Sequence, residues 1–245
     1  MARTKTWGGV RRLAGLLLVL AMLSAGPMAA WAAKVTYLEL PAQVKRRGTS
    51  AWVRLAVGDP IQEGDAIRTG MGGRVEITIA PKRVFRVGQA SEIAVPALEE
   101  KQGVKASMQV LGGRFWASLR TPLKEALGEQ FEVKTATATI GVKGTQFGVD
   151  YDKEQKTSAV TVVDGVVSAA TPKQAGPAEE IEGPREIAPP EEISRDQWFV
   201  LVSKDQKVIM RPGQEPKVVP MTPEDKKDEF LLFNQERDRA NDAGR

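Results

Sequence analysis

From about residue 35 to 167 the apolar side chains recur at every second position, the period of strands rather than helices. Val35–Leu40 forms a first apolar strand. Ala51–Val57 alternates, with Val53, Leu55 and Val57 on one face and Trp52 and Arg54 on the other. Ala66–Thr69 is a short strand. In Arg74–Ala80, Val75, Ile77 and Ile79 point inward and Glu76 and Thr78 outward. Strands follow at Arg83–Val87, Glu92–Val95, Val104–Leu111, Arg114–Leu119, Glu129–Thr139, Thr145–Tyr151 and Ser158–Val163. The dipeptides Gly112-Gly113 and Asp164-Gly165 read as hairpin turns. Short strands with regularly spaced turn signals predict an all-β sandwich, roll or barrel.

The pattern changes after residue 171. Residues 172–196 are rich in Pro, Glu, Ala and Gly and poor in large apolar side chains, so they are expected to remain a flexible insertion. Residues 197–220 read as a closing β-hairpin of the domain, with strands at Gln197–Val202 and Lys207–Met210 around Lys204-Asp205-Gln206. The tail, 221–245, opens on Thr222-Pro223-Glu224-Asp225: a Thr cap, Pro at the first helical position and acids in the first turn. It predicts one helix over 223–240, whose apolar cluster Phe230–Phe233 is expected to dock on the β-domain, the alternative being a partner.

Residues 1–32 have the layout of a secretory signal peptide: Arg11-Arg12, the apolar run Leu13–Leu23, the breaker Gly26-Pro27, and Ala30-Trp31-Ala32 as an A-x-A site. Cleavage between Ala32 and Ala33 would give a mature chain starting at Ala33 in the periplasm or otherwise outside the cytoplasm; the alternative is an uncleaved anchor. The apolar run is shorter than the roughly 20 residues of a membrane span. Membrane contact is therefore expected only through this segment, before cleavage.

Charge sharpens the picture. The four basic groups of the leader are Arg3, Lys5, Arg11 and Arg12, and without them the chain is formally neutral. Residues 33–171 hold 19 basic and 15 acidic side chains, whereas 172–245 hold 12 and 16. A mildly basic body with a mildly acidic tail lacks the concentrated basic stripe that nucleic acid requires, so no nucleic-acid partner is expected. The chain has no Cys and no His. Thiolate chemistry, disulfides and His-based triads are excluded, and no metal or other cofactor is expected.

Three stretches, taken in order, resemble the FecR domain. Val57–Thr69 carries paired Gly-Asp turns, Gly58-Asp59 and Gly64-Asp65, ahead of Arg68-Thr69. Phe131–Phe147 is similar to the family's threonine-rich strand leading into Gly141-Val142-Lys143-Gly144-Thr145-Gln146-Phe147. Val160–Val167 holds Asp164-Gly165. Val208–Gln214 resembles the family's closing strand and Pro-Gly-Gln turn. The resemblance spans roughly residues 43–219 and implies a compact all-β roll or solenoid-like domain. Its best-known members relay a signal from an outer-membrane transporter to a sigma factor. Only about a dozen residues precede the apolar run, so what carries over is the extracytoplasmic module.

Reactive chemistry is scarce. Asp59 and Asp65 each follow a turn Gly, where a carboxylate caps backbone N–H groups. Asp150, Asp152 and Asp164 lack the spacing of a calcium loop. Gly141–Thr145 lacks the Gly-Lys-Thr order of a phosphate loop, and no Ser-x-x-Lys is present. No catalytic residue is assigned; a hydrolase working on carboxylates alone is the enzymatic alternative. The binding candidates are Trp52 with Arg54, and Trp116 with Arg114 and Arg120. Alternation puts both indoles on Arg-bearing, solvent-side faces, Trp52 opposite Val53 and Leu55 and Trp116 opposite Phe115, Ala117 and Leu119, and Trp and Arg dominate binding hot spots. The expectation is a non-catalytic binding or scaffold module of the bacterial envelope, its partner a protein or a glycan. The alternative is a periplasmic sensor partner in transporter-linked sigma-factor signalling.

Overall fold

The computed structural model describes residues 33–80, 83–98, 106–120, 131–142, 144–172 and 199–243. The leader with Ala30 and Ala32, most of the Pro/Glu-rich insertion, Lys143 and Trp198 lie outside the described residues. Among those described, seventeen strands precede two helices. In chain order the strands are β1 (Ala33–Glu39), β2 (Ala42–Lys45), β3 (Trp52–Arg54), β4 (Pro60–Ile61), β5 (Ala66–Thr69), β6 (Arg74–Ala80) and β7 (Arg83–Val87). Next come β8 (Glu92–Ala97), β9 (Ala106–Leu119), β10 (Phe131–Lys134), β11 (Thr139–Val142), β12 (Gln146–Asp152) and β13 (Thr157–Asp164). The last are β14 (Val166–Ala170), β15 (Phe199–Ser203), β16 (Gln206–Met210) and β17 (Lys217–Pro220), followed by α1 (Pro223–Lys226) and α2 (Glu229–Ala243). The fold is all-β with a C-terminal helix, and among the described residues its open mixed sheet closes into no barrel.

Two ladders make up the sheet. The first runs β4-β1-β6-β7-β9-β12-β13-β16-β17, antiparallel throughout. The second runs β3-β2-β5-β8-β9-β10-β11-β14-β15, antiparallel except for the parallel pair β9/β10. Their apolar faces merge in one core: Val35, Ile77, Phe85, Phe115, Phe147 and Val160 from the first ladder, Val44, Ile67, Ile93, Met108, Ile140 and Val167 from the second. Period-two alternation is what places these side chains on one face of each strand.

Strand β9 belongs to both ladders, and this differs from the expected Gly112-Gly113 turn. Residues 107–112 pair with β8 in the second ladder, and residues 113–118 pair with β12 in the first. The chain bends there without reversing. Gly113 adopts φ +84°, and a Cβ on it would lie 2.6 Å from the Cα of Ser91. Only Gly tolerates this close, left-handed crossing. The Ser91 hydroxyl also accepts the N–H of Arg114 at 2.8 Å.

Asp164-Gly165 is likewise a corner between ladders rather than a hairpin turn. Strand β13 pairs with β12 and β16, whereas β14 pairs with β11 and β15. Gly165 takes φ +86° because Gly144 O and the Thr145 side chain fill the space a Cβ would need. The Lys204-Asp205 turn repeats this crossing: β15 stays in the second ladder and β16 pairs with β17, so the closing hairpin is β16–β17.

The stretch expected as one strand over 129–139 turns at Thr135–Ala138. Thr135 Oγ1 accepts the N–H groups of Thr137 and Ala138 at 3.1 and 2.8 Å, closing a turn between β10 and β11. The Thr135 and Thr137 hydroxyls both meet Ser158 Oγ at 2.7 Å. A Thr hydroxyl that satisfies its neighbours' backbone competes effectively with the ladder.

Candidate functional site

The first ladder has a second occupied face. Strands β6, β7, β9 and β12 project Glu76, Arg86, Trp116, Ser118 and Gln146 away from the core, and α2 covers them. Trp116 is 1% exposed and packs with Phe230 and Leu231. Its predicted solvent-side position is corrected here. The alternation holds, with Phe115, Ala117 and Leu119 in the core, but the opposite face meets a helix instead of water.

The helix arises from the signals expected, with one break. Thr222 caps α1: its hydroxyl accepts the Asp225 N–H at 3.1 Å, and the Asp225 carboxylate returns to the Thr222 N–H at 2.9 Å. This is a capping box with Pro at the first position. The chain then breaks at Lys227-Asp228, where 223–240 was expected to be continuous. Asp228 Oδ1 accepts the Leu231 N–H at 2.8 Å and starts α2 afresh.

Beneath α2 lies a buried charge network. Arg86, 1% exposed, donates through Nε to Glu76 at 2.7 Å and pairs through Nη1 with Asp238 at 2.7 Å. Asp238 Oδ2 also accepts Gln146 Nε2 at 2.8 Å and the Trp116 indole N–H at 3.2 Å. Arg237 of the helix returns to Glu76 at 3.0 Å and lies over the Tyr37 ring. Burial pushes the Glu76 carboxyl up, but the Arg86 charge and the hydrogen bonds from Arg237, Arg86 and Thr36 outweigh it and hold it below its ordinary value.

Around this centre each sheet cation meets an acid of the tail. Arg74 pairs with Glu229, Arg114 with Asp228 at 2.6 Å, Arg120 with Asp242, and Lys207 with Asp225 at 2.7 Å. Arg114 also holds Asp150 at 2.5 Å and stacks on Phe230. Its two carboxylates shift in opposite directions. Desolvation raises Asp150 despite Arg114. At Asp228 the same penalty is overcome by hydrogen bonds from Arg114 and the Leu231 and Phe230 N–H groups, so its carboxyl is lowered.

The other candidate pair sits elsewhere. Trp52 is half-buried at the edge strand β3 of the second ladder, with Arg68 at 4.3 Å and Lys45 at 5.1 Å from its ring centre. Arg54 is exposed beside it. Val53 and Val57, expected inward, are 48% and 62% exposed, and only Leu55 reaches the core. An edge strand with one paired neighbour need not obey two-sided alternation. Trp52 and Arg54 therefore form a surface separate from the Arg114–Trp116–Arg120 face.

The turn residues are engaged locally. Asp65 accepts Arg46 Nη1 at 2.7 Å, the Arg47 N–H at 3.1 Å and the Gln62 N–H at 3.0 Å; Asp59 accepts the Ala56 N–H at 2.8 Å. Gly58 and Gly64 have φ of +95° and +89°. Thr69 Oγ1 donates to Gly88 O at 2.6 Å and accepts the Ser91 N–H at 3.0 Å. Gly141 lies against Ser168, Gly144 has φ +63°, Thr145 is buried, and Phe147 is in the core. Among the described residues no acidic cluster is arranged to hold a metal ion.

Sequence reasoning passed over Glu76, Arg86, Gln146, Asp228 and Asp238. One signal pointed to them: a basic body followed by an acidic tail, with the outward strand positions rich in Arg.

Two crystal structures of a candidate anti-sigma factor from Parabacteroides distasonis are similar to the chain. Each has a TM-score of 0.45 and 16% identity over 64% of this chain and 59% of that one. The chain thus spans less than two thirds of that protein. No curated protein matches the chain. The family described as FecR protein matches residues 65–168, from the threshold of β5 into β14. Residues 65–168, within the two-ladder β-body, are thus the part of the chain that matches the FecR family.

Proposed function

We propose that the chain is a non-catalytic sensor partner in transporter-linked sigma-factor signalling, working through protein contact outside the cytoplasm. The observation that supports this reading is the FecR match over residues 65–168. The chemistry of the helix-covered face agrees with it. The carboxylates that line that face are bound to arginines and to Lys207, and the groups there hold one segment against another. In this reading residues 1–32 direct export, cleavage leaves Ala33 as the first residue, and a separate protein supplies the cytoplasmic half of the relay.

A second reading, an envelope scaffold that binds a protein or a glycan, is favoured by the Trp52 surface. There two cations flank an indole, and exposed Arg54 adds a third. The test is deletion and re-expression of the gene in its host, with transcript profiling and envelope crosslinking. A sigma-factor regulon that shifts on deletion, with capture of a membrane-bound regulator, supports the relay. Unchanged transcripts with capture of a glycan or structural envelope protein, lost in Trp52→Ala, would favour the scaffold.

A further inference from the structure

We propose that the face of the first ladder beneath α2 is a docking surface for an acidic amphipathic helix of a partner protein, and that the chain's own tail is its displaceable resident. The charge pattern defines the occupant. Arg74, Arg86, Arg114, Arg120 and Lys207 belong to this side of the body, and each contacts a carboxylate of residues 225–242. A segment able to replace the tail must present the same acidic spacing with two adjacent apolar residues at the positions of Phe230 and Leu231.

Two observations show that the tail fits this face incompletely. Arg86 Nη2 is buried without a hydrogen-bond acceptor, although a buried donor ordinarily finds one. An open pocket of about 140 Å³ also remains under the α1–α2 junction, where Trp116, Phe230 and Leu231 meet the charged groups of Arg114, Asp150 and Lys207. A partner helix with a carbonyl or carboxylate facing Arg86, and a longer acidic side chain reaching Arg114 and Lys207 in this pocket, would bind the face better than the resident does. The resident is suited to exchange. Its apolar anchors are few, Leu232 is 48% exposed, and several of its ion pairs lie where salt screens them. Segments held this way belong to the low-stability end of a fold.

This inference rests on the reading of the chain as a partner-binding module. The probe is a fluorescent synthetic peptide of residues 222–243, added to the full-length protein and followed by anisotropy. Hydrogen exchange of residues 229–243 reports release of the resident helix. The double variant Asp228→Asn/Asp242→Asn loosens the tail while leaving the sheet cations intact, and Asn still caps α2. Peptide affinity is expected to rise at least about tenfold over the wild type, to fall as salt increases from about 0.05 to about 0.5 M, and to be lost when Arg114→Gln/Arg120→Gln is added.

A loosened helix with no gain in peptide binding, or a gain that survives removal of the two arginines, would overturn the proposal. Should the double variant unfold, the wild type decides: saturating peptide must accelerate exchange in 229–243, and unchanged exchange refutes displacement. Failed exchange beside an intact transcriptional effect strikes this inference alone. Working exchange with no transcriptional effect strikes the relay alone.

Discussion

Asp238→Ala removes the group on which three partners converge: Arg86 at 2.7 Å, Gln146 at 2.8 Å and the Trp116 indole at 3.2 Å. With α2 still docked, Arg86 keeps Glu76 as its charged partner, with long hydrogen bonds to Asn234, and both neutral donors lose an acceptor. Breaking a buried pair from one side costs about 3–5 kcal/mol. The helix offers a cheaper response. Its docking rests on the same network and on Phe230 and Leu231, whose burial contributes about 1.5–3 kcal/mol each. These magnitudes are comparable, so the variant is expected to shed the helix and let water reach Arg86, leaving the two ladders folded. At about 1.4 kcal/mol per tenfold, amide protection in α2 should fall by about 10²- to about 4 × 10³-fold. Protection at Val160 and Val208, deep in the core, should hold within about threefold. Hydrogen exchange on the full chain reads both regions at once. Unchanged protection in α2, or an equal loss in core and helix, would refute the reasoning.

Other predictions follow from the same geometry. Arg120→Ala removes the Asp242 pair at a site where both side chains are more than a third exposed; it should cost less than about 1 kcal/mol, seen as a shift below tenfold in α2 exchange. Gly113→Ala forces a Cβ into Ser91 at φ +84° and should destabilise the body by about 2 kcal/mol or more, measured by urea unfolding; an unmoved midpoint would contradict the corner. Ser158→Ala strips the shared partner from the Thr135 and Thr137 hydroxyls and should cost about 1–3 kcal/mol by the same assay. Glu76, Asp225 and Asp228 titrate below their ordinary values. Their contribution is therefore fully present above the unfolded carboxyl range of about 3.9–4.3 and is lost as pH falls through the still lower folded values. Asp150, raised by burial, takes up its proton first and leaves Arg114 to Asp228, so exchange in α2, corrected for intrinsic rates, should not rise between about pH 7 and about pH 5 and should rise only in stronger acid.

Much of the core was legible. Val75, Ile77, Phe115, Ala117, Leu119, Phe147 and Val149 all lie inward as alternation requires, and the helix start at Thr222-Pro223 was readable from its cap. What alternation cannot tell is whether the opposite face meets water. Trp116 and Arg86 are outward by period, yet buried, because a helix more than a hundred residues later lies on them. Nor does a Gly dipeptide declare its use. Positive φ serves a hairpin and a crossing between ladders equally well, so Gly112-Gly113 and Asp164-Gly165 looked alike in sequence to true hairpin turns. At Thr135–Ala138 β-branched residues suggested a strand, while the hydroxyl of Thr135 was free to close a turn instead. The site was obscured for the same reason: its charges are ordinary one by one, and only tertiary pairing between a basic sheet and an acidic tail makes them a network.

The account depends most on α2 lying across Trp116, and the exchange rate of one proton tests it. In ¹⁵N-labelled full-length protein the Trp116 Nε1–H, which donates to Asp238 and is sealed by Leu231, should exchange at least about 10²-fold more slowly than a free indole. An indole proton exchanging at the rate of free tryptophan would mean that the helix does not cover this face.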